Sequence, residues 1–559
     1  MNVKTSLEMS KDISKPEQLI TEHIDLWTSA ILAKSTSGRG SSKKYELYGI
    51  TKLRELILEL AVRGKLVPQD ANDEPASALL DKIAVEKAQL IKEKVIKKAK
   101  PLPLISNNEK AFELPQGWQW VRLNEVLNIF NGNSINARLK ESKYSNVTNG
   151  LPYIGTKDVG YGFEILNYDN GISIPYEEPK FKVAKAGSVL ICAEGGSAGK
   201  KCGITNRDIC FGNKLYANEV FHKDLKSEFI LMNFLSPTFF SQFSDSMTGI
   251  IGGISMAKFS HLVIAIPPKE EQQRIVAKVN ELMLLCDQLE QQTEDSVDTH
   301  ATLIEVLLAT LTESINSDEL KKNWKRIAEC FEILFTTEQS IEELAKAILD
   351  MAIKGLLTDT LDIKVVPLKK VLSFGPKNGY SPREVDYPSE AKVLSLGATS
   401  TGSLLLEKSK SFDKEIAADS HLWLTKDDIL IQRGNSAEYV GSNLLIHEDI
   451  PGFIYPDLMM KIQADSCINP KYLSIALSSP TSRRFMWERM VGTSGTMPKI
   501  NQKTVESVPV PLPTLEEQSQ IVAKVDELMT ICDQLKEKLQ QSQETQIQLT
   551  DALVDQALG

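Results

Sequence analysis

The sequence predicts an α+β protein in which two mixed α/β domains are separated and joined by long coiled-coil helices and related by a pseudo-twofold internal repeat. Three observations support this prediction: a helical segment that occurs twice, two glycine-punctuated segments of equal length, and a match between the amino terminus and the centre of the chain. The 559 residues, 42% hydrophobic and 25% charged, have an ordinary globular composition and allow about three or four folding units.

The strongest internal match joins two segments 246 residues apart. Residues 270–289 (EEQQRIVAKVNELMLLCDQL) align without gaps to residues 516–535 (EEQSQIVAKVDELMTICDQL), with 15 of 20 positions identical. At a different offset, LELAVRGKL at 58–66 matches LDMAIKGLL at 349–357. The two terminal segments together therefore resemble the central one, which indicates a circular repeat.

The repeated segments are predicted to be helices. Their apolar residues follow spacings of four and three, which is typical of a coiled-coil seam. The first seam is Ile275, Val279, Leu282, Cys286 and Leu289, and the second is Ile521, Val525, Leu528, Cys532, Leu535 and Leu539. The first seam becomes polar at Thr293, Ser296 and His300 and is expected to resume at Leu303 and Leu307. An ordinary amphipathic helix packed on a globular core is the alternative interpretation.

Helix boundaries can also be predicted from proline and glycine. Pro267-Pro268 and Pro513 precede the two seams, and Gly64 and Gly355 follow apolar turns where C-cap glycines are expected. A further helix is predicted over residues 75–98, and residues 35–44 (STSGRGSSKK) have the composition of a flexible loop.

The mixed segments at 115–266 and 362–513 contain short β-branched runs separated by Gly, Asn and Pro. Their net charges are +2 and +1 against −10 for the whole chain, so the helical parts carry the acidic excess. This distribution favours a protein partner for the helices rather than DNA. The predicted domains are an amino-terminal helical region and a first mixed domain, a central helical spacer, a second mixed domain, and a carboxy-terminal helix: 1–112, 113–266, 267–361, 362–513 and 514–559.

Signatures of enzyme chemistry are missing from the sequence. AEGGSAGKK at 193–201 departs from a phosphate-binding loop at Glu194 and Lys201, and the six histidines are scattered. PDLMMK at 456–461 faintly resembles a nuclease motif but lacks its acidic-x-Lys partner. The seven cysteines have no CxxC spacing and the chain has no signal-peptide run, so we expect a cytoplasmic protein without a metal site. No apolar stretch is long enough to predict a membrane span, and no cofactor is expected in this chain.

At the level of motifs, the chain resembles the specificity (S) subunits of type I restriction-modification enzymes. The resemblance lies in LELAVRGKLVPQDANDEPASALLDKI at 58–83, ELPQGWQWVRLNEV at 113–126, and the two helix starts PPKEEQQRIVAKV and PLPTLEEQSQIVAKV. It implies two target recognition domains that each read half of an asymmetric bipartite site in double-stranded DNA, and antiparallel coiled-coil helices that dock two methyltransferase (M) subunits. It further implies restriction/translocase (R) subunits, with adenine methylation, S-adenosylmethionine, ATP and magnesium all belonging to partner chains. One departure is the segment 35–44 together with the extra helix that ends at residue 98, which make the amino-terminal helical part longer than its central equivalent.

Residues that read DNA are expected in glycine-rich loops, because Arg and Lys pair with guanine, Asn and Gln with adenine, and Ser, Thr and Lys contact phosphates. In the first domain the candidates are Asn131, Asn133, Asn136, Arg138, Ser197, Lys200, Lys201, Asn213, Lys214, Ser255 and Lys258. In the second domain they are Lys377, Asn378, Tyr380, Arg383, Gln432, Arg433, Asn435, Tyr439, Arg483, Arg484, Thr493, Thr496 and Lys499. For any single residue, a solvated loop or structural turn is the alternative.

The predicted function is a non-catalytic DNA-binding specificity subunit. A coiled-coil tether whose globular ends bind proteins is the alternative from another class. A self-sufficient nuclease or methyltransferase is disfavoured by the missing motifs.

Overall fold

The structure, a computed structural model, describes residues 16–33, 45–97, 103–145, 147–249, 252–358, 363–400, 402–492 and 497–559. It divides into two compact units. Unit 1 comprises Met1–Glu294 and Gln543–Gly559, and unit 2 comprises Asp295–Ser542. The two ends of the chain thus belong to one unit, as the circular repeat predicts. The predicted loop at 35–44 lies outside the described residues.

Unit 1 contains helices of very different length and four small sheets. The helices are α1 (Pro16–Glu22), α2 (Ile24–Ser29), α3 (Tyr48–Val62), α4 (Ala76–Lys92), α5 (Leu123–Val126), α6 (Ala137–Lys143), α7 (Ser227–Leu235), α8 (Pro237–Ser246), α9 (Met256–Ser260) and α10 (Lys269–Thr312), whose second half belongs to unit 2. The strands are β1 (Leu32–Ala33), β2 (Tyr45–Glu46), β3 (Gln119–Arg122), β4 (Leu127–Asn131), β5 (Gly150–Ile154), β6 (Ser173–Pro175), β7 (Val183–Ala184), β8 (Val189–Cys192), β9 (Cys202–Ile204), β10 (Ile209–Phe211), β11 (Leu215–Val220) and β12 (Val263–Ile266).

Unit 2 repeats this plan. Its helices are α11 (Ser317–Ala328), α12 (Phe331–Leu334), α13 (Glu338–Ile353), α14 (Pro470–Ser478), α15 (Pro480–Trp487), α16 (Gln502–Glu506) and α17 (Leu515–Leu558), whose last part belongs to unit 1. Its strands are β13 (Val365–Pro367), β14 (Leu372–Asn378), β15 (Ala391–Leu394), β16 (Ser409–Phe412), β17 (Trp423–Leu424), β18 (Asp428–Gln432), β19 (Asn443–Leu445), β20 (Ile450–Ile454), β21 (Met459–Ala464) and β22 (Pro509–Pro511).

The sheets of the two units have the same connectivity. One four-stranded sheet has the order β4-β11-β8-β9 in unit 1 and β14-β21-β18-β19 in unit 2, and all its strand pairs are antiparallel. The other has the order β6-β5-β10-β7 and β16-β15-β20-β17, with one parallel pair in each copy. The predicted α+β class and the internal repeat are therefore confirmed.

The two seams are buried in the cores of their units. Ile275, Val279 and Cys286 pack in a cluster with residues of α3 and of the first domain, and Ile521 and Val525 pack with residues of α13 and of the second. Each seam therefore packs against the adjoining domain as well as against other helices, and hydrophobic burial joins the helical part of each unit to its domain.

The predicted continuation of the seam at Leu303 is wrong. Leu303 is 48% exposed, and the buried residues are Ile304, Leu308 and Leu311. A straight helix turns every 3.6 residues and drifts about 20° per heptad against a 3.5-residue repeat, so the buried stripe shifts by one position after several turns.

Glycine ends two of the repeated helices. Gly64 and Gly355 have positive φ angles of 67° and 72°. After Gly64, the N–H of Lys65 donates to the Leu60 carbonyl, and after Gly355, the N–H of Leu356 donates to the Met351 carbonyl. These 6→1 bonds confirm the predicted C-caps. The helix predicted over 75–98 is shorter than expected, because α4 ends at Lys92, close to Lys94 with its φ of 59°.

Three cysteines are strand residues. Cys192, Cys202 and Cys210 lie in β8, β9 and β10 and are buried, as expected for cysteines that pack as small hydrophobic side chains. Among the described residues, no helix is both long enough and apolar enough to cross a bilayer.

Candidate nucleic-acid interface

In unit 1, four loops meet at one end of the two larger sheets. We call residues 131–133, 193–201, 212–214 and 252–255 loop cluster 1. The N–H of Ala193 bonds to the carbonyl of Lys214 at 2.8 Å, and the Ala193 carbonyl accepts from the N–H of Ile254 at 3.0 Å. The N–H of Asn133 bonds to the Phe211 carbonyl at 2.9 Å. These backbone bonds hold the loops side by side.

Glycine is required where these loops approach one another. A Cβ at Gly132 would lie 1.9 Å from the carbonyl oxygen of Phe211. Gly195 and Gly199 have φ of 94° and 73°, which other residues rarely adopt. The glycine-rich sequence therefore reflects a tight loop crossing rather than a phosphate-binding loop.

Loop cluster 1 brings together eight of the predicted residues: Asn131, Asn133, Ser197, Lys200, Lys201, Asn213, Lys214 and Ser255. Some of them also have structural partners. The side chain of Asn133 accepts from the Lys182 N–H at 2.8 Å and donates to the Lys180 carbonyl at 3.3 Å, so it holds a neighbouring segment in place. Lys214 Nζ lies 3.4 Å from Glu194 Oε1.

Lys182 contacts this cluster and is absent from the residues predicted from the sequence. Its Nζ donates to the carbonyl and side-chain oxygens of Asn131, at 2.9 and 2.8 Å. The signal in the sequence was the lysine-rich run KFKVAK, which lacks the glycines that marked the other loops.

Unit 2 has an equivalent arrangement, which we call loop cluster 2: residues 378–380, 432–441, 456–458 and 497–500. The N–H of Arg433 bonds to the Leu458 carbonyl at 2.9 Å, and the Arg433 carbonyl accepts from the N–H of Ile500 at 2.8 Å. The N–H of Tyr380 bonds to the Tyr455 carbonyl at 3.0 Å. Each bond has a counterpart in loop cluster 1, so the loops recur in three dimensions as well as in sequence order.

Two candidates in loop cluster 2 serve the fold. Gln432 is 1% exposed, and its Nε2 donates to the hydroxyls of Thr399 and Ser400 at 2.9 and 3.2 Å. Asn435 Nδ2 donates to Gln432 Oε1 at 2.6 Å. Their side-chain amides connect this cluster to the turn that follows β15.

Asn378 and Arg433 are placed differently. Asn378 and Ile431 both pair with Met460, from the strands on either side of it, so their side chains lie on one face of the sheet. Arg433 is two positions after Ile431, and side chains alternate along a strand, so Arg433 belongs to the same face. Among the residues that the structure describes, the buried Asn378 Oδ1 and Arg433 Nε atoms have no hydrogen-bond partner. Unpaired buried polar atoms are costly, and a ligand with matching donors and acceptors would remove that cost.

Arg483 lies beside loop cluster 2 on α15. Its Nη2 donates to the Glu438 carbonyl at 2.6 Å, and its guanidinium lies 5.2 Å from the Trp487 ring centroid. Burial lowers the pKa of Arg483 to about 10, so the side chain stays charged at neutral pH. Its buried Nε has no hydrogen-bond partner in the described part of the chain.

The remaining candidates lie partly within the two clusters and partly outside them. Lys499 bridges to Gly434 and Val491 through its backbone. Asn136 and Ser255 are the N-caps of α6 and α9. Thr493 and Thr496 lie outside the described residues. The other candidates are Arg138 on α6, Lys258 on α9, Arg484 on α15, Lys377 in β14, Arg383 in the loop after β14, Ser197 within loop cluster 1 and Tyr439 within loop cluster 2.

The faint nuclease motif has a structural explanation. Lys461 Nζ bonds to Asp428 Oδ2 at 3.0 Å and to the Trp423 carbonyl at 2.9 Å, and both charged side chains are almost fully buried. Gln463 Nε2 donates to the other Asp428 oxygen at 2.8 Å. The lysine is thus part of a buried network. Among the described residues, no group of three or more His, Cys, Asp or Glu side chains is placed to hold a metal ion.

Comparison with known proteins agrees with this arrangement. The family model for the type I restriction modification DNA specificity domain matches residues 115–299 and 362–544. The chain belongs to this family. It is 35% identical over 607 aligned positions to the type I restriction enzyme EcoEI specificity subunit of Escherichia coli, covering 97% of this chain and 100% of that protein. The EcoAI specificity subunit of the same species is 34% identical over 600 positions, with the same coverage.

A solved structure is similar in fold. It comes from a study of complex assembly and conformational transition of the type I R-M system and aligns with a TM-score of 0.50 at 18% identity. The alignment covers 80% of this chain and 99% of that one. The two matched family segments each include one mixed domain and the first part of the helix that follows, so the family unit coincides with the internal repeat.

Proposed function

We propose that this chain is the specificity subunit of a type I restriction-modification complex and that each mixed domain reads one half of an asymmetric bipartite site in double-stranded DNA. The observation that carries the proposal is the recurrence of loop clusters 1 and 2 at equivalent ends of equivalent sheets. Each presents amide and cationic side chains, the groups that pair with base edges and phosphates.

The chain supplies recognition and its partners supply the chemistry. Two methyltransferase subunits and the restriction subunits would bring S-adenosylmethionine, ATP and magnesium, and the methyltransferase would modify adenine. The similar EcoEI and EcoAI proteins are named specificity subunits of type I restriction enzymes, which supports this division of labour.

A domain exchange tests the proposal. Residues 115–266 are replaced by the corresponding domain of a relative, and the genome of a host that expresses the chimaera with its methyltransferase is sequenced for methylated motifs. One half of the motif should change and the other should stay. Changes in both halves, or in neither, would contradict the assignment of recognition to separate domains and favour a protein-binding tether.

A matched assay tests the absence of catalysis. The purified chain alone should neither methylate nor cleave DNA, and adding the methyltransferase should produce site-specific methylation. Methyl transfer by the chain alone, with contamination excluded by a mock preparation, would contradict the proposal.

A further inference from the structure

A short segment of the first domain exposes three large apolar side chains in a row. Tyr161, Phe163 and Ile165 are 60%, 38% and 78% exposed. They lie between β5 and β6, in residues 158–167, which we call the apolar loop. Scattered exposed apolar residues are normal, but a group of this kind on an ordered loop is typical of a binding surface.

The apolar loop is held in shape at both ends. The Asn167 N–H bonds to the Asp158 carbonyl at 2.9 Å, which closes the segment. Val159 and Leu166 are buried. Leu166 packs closely on Gly203 of β9: a Cβ added to this glycine would lie only 2.8 Å from Leu166 Cδ2. The backbone of the loop is thus restrained at both ends, and little backbone entropy remains to be lost on binding.

The tip of the loop is also ordered. Glu164 Oε2 accepts a hydrogen bond from the Gly162 N–H at 2.6 Å. This bond constrains the backbone between Tyr161 and Phe163. It also engages one carboxylate oxygen of Glu164, the acidic residue between Phe163 and Ile165.

Positive charge lies next to the exposed rings. Lys201 Nζ is 4.9 Å from the Tyr161 ring centroid and donates to the Thr156 carbonyl at 3.2 Å. Lys201 belongs to loop cluster 1, so the apolar loop adjoins the cluster at which DNA recognition is proposed. An exposed ring with a lysine beside it matches a polyanion with stacked bases better than it matches an apolar protein surface.

We propose that the apolar loop is a wedge that enters the DNA at the half-site read by the first domain, with Tyr161 and Phe163 against a base step and Lys201 against the neighbouring phosphate. Apolar side chains inserted between base pairs unstack the step and kink the duplex. This inference rests on the proposed function. The equivalent segment between β15 and β16 has no aromatic residue, so the distortion belongs to one half-site only.

The test uses the full chain assembled with its methyltransferase, on a site identified by methylome sequencing. 2-Aminopurine replaces single bases along the half-site of the first domain and its flanks, except at the methylated position. The wild-type complex should raise the fluorescence at one step. The double variant Tyr161→Ala/Phe163→Ala should lose that rise and bind the site about tenfold or more weakly, since base–aromatic stacking strengthens binding by roughly that factor per ring.

Tyr176→Ala is the matched control. Tyr176 is 61% exposed and directly follows β6. The end of β6 pairs with the start of β5, whereas the apolar loop follows the other end of β5. This variant should leave both the fluorescence and the affinity unchanged.

Three outcomes would overturn the wedge. The double variant could keep both the fluorescence rise and the affinity. It could bind DNA normally but fail to assemble with the methyltransferase, which would make the loop a protein-docking surface. A wild-type complex without site preference would overturn the proposed function together with the wedge.

Discussion

The buried carboxylate of Glu59 in α3 accepts hydrogen bonds from both the backbone N–H and the hydroxyl of Thr238, the second residue of α8. Unit 2 repeats this relationship: Asp350 in α13 accepts from the hydroxyl of Thr481 in α15 at 2.7 Å and from its N–H at 3.3 Å. In both cases an anion lies at a helix N-terminus, where the helix dipole favours it. Each carboxylate therefore links the helical part of its unit to its recognition domain.

Removing Glu59 should destabilise unit 1. Glu59→Ala leaves the part-buried N–H and hydroxyl of Thr238 without their acceptor and also removes the ion pair with Arg63. We expect the free energy of unfolding to fall by about 2 kcal/mol. Chemical denaturation of the full chain measures it. Glu55→Ala is the control, because Glu55 forms an exposed pair with Lys52 on the same helix and should contribute less than about 0.5 kcal/mol. Equal effects of the two variants would contradict the role of Glu59.

Breaking the buried pair in the second domain should have a larger effect. Lys461→Met leaves the charge of fully buried Asp428 without its cation, and we expect a loss of about 3–5 kcal/mol in the free energy of unfolding. Lys410→Met removes an exposed pair with Glu384 in the same domain and should cost less than about 1 kcal/mol. A loss no larger than that of Lys410→Met would contradict the importance of the buried pair.

The Glu109–Arg122 pair should make the stability of the first domain pH-dependent. Bidentate hydrogen bonds from the buried Arg122 lower the pKa of Glu109 from 4.5 to about 2. A lowered folded-state pKa contributes stability that is fully present above pH 4.5 and is lost as the pH falls towards 2.

Glu109→Gln should therefore be less stable than the wild type at pH 7, and the difference should shrink below pH 4.5. Because Glu109 is partly exposed, we expect only about 1 kcal/mol at neutral pH. Urea unfolding at pH 7, 4 and 3 measures the difference, with the exposed Glu113→Gln as control. A difference that is constant over this range would exclude the pair as its source.

Arg433 should contribute to sequence recognition by the second domain. Arg433→Ala in the complex with the methyltransferase should reduce discrimination at one position of the second half-site by about 1–3 kcal/mol and leave the first half-site unchanged. Binding to duplexes with single base changes measures this. Lys369→Ala removes the same charge before the start of β14 and should only weaken binding evenly. Uniform weakening by Arg433→Ala as well would reduce its role to phosphate contact.

The sequence by itself determined the repeat, the long helices and their ends. These features depend on local patterns: apolar residues at spacings of three and four, prolines before α10 and α17, and glycines after α3 and α13. Because a helix buries one stripe, its periodicity indicates its existence and its inner face without any knowledge of the partner. Even here, the drift of the stripe placed Ile304 inside and Leu303 outside.

Only the tertiary structure decided which polar residues serve the fold and which are available to a ligand. Gln432 and Arg433 are neighbours in one glycine-rich loop, yet the first is hydrogen-bonded to Thr399 and Ser400, while the Nε of the second has no hydrogen-bond partner within the described ranges. Glu59 and Thr238 are 179 positions apart, and Asp428 and Lys461 are 33 apart. A hydrogen bond forms only between groups that the fold brings within bonding distance. The local sequence around either partner contains no pattern from which that proximity can be predicted.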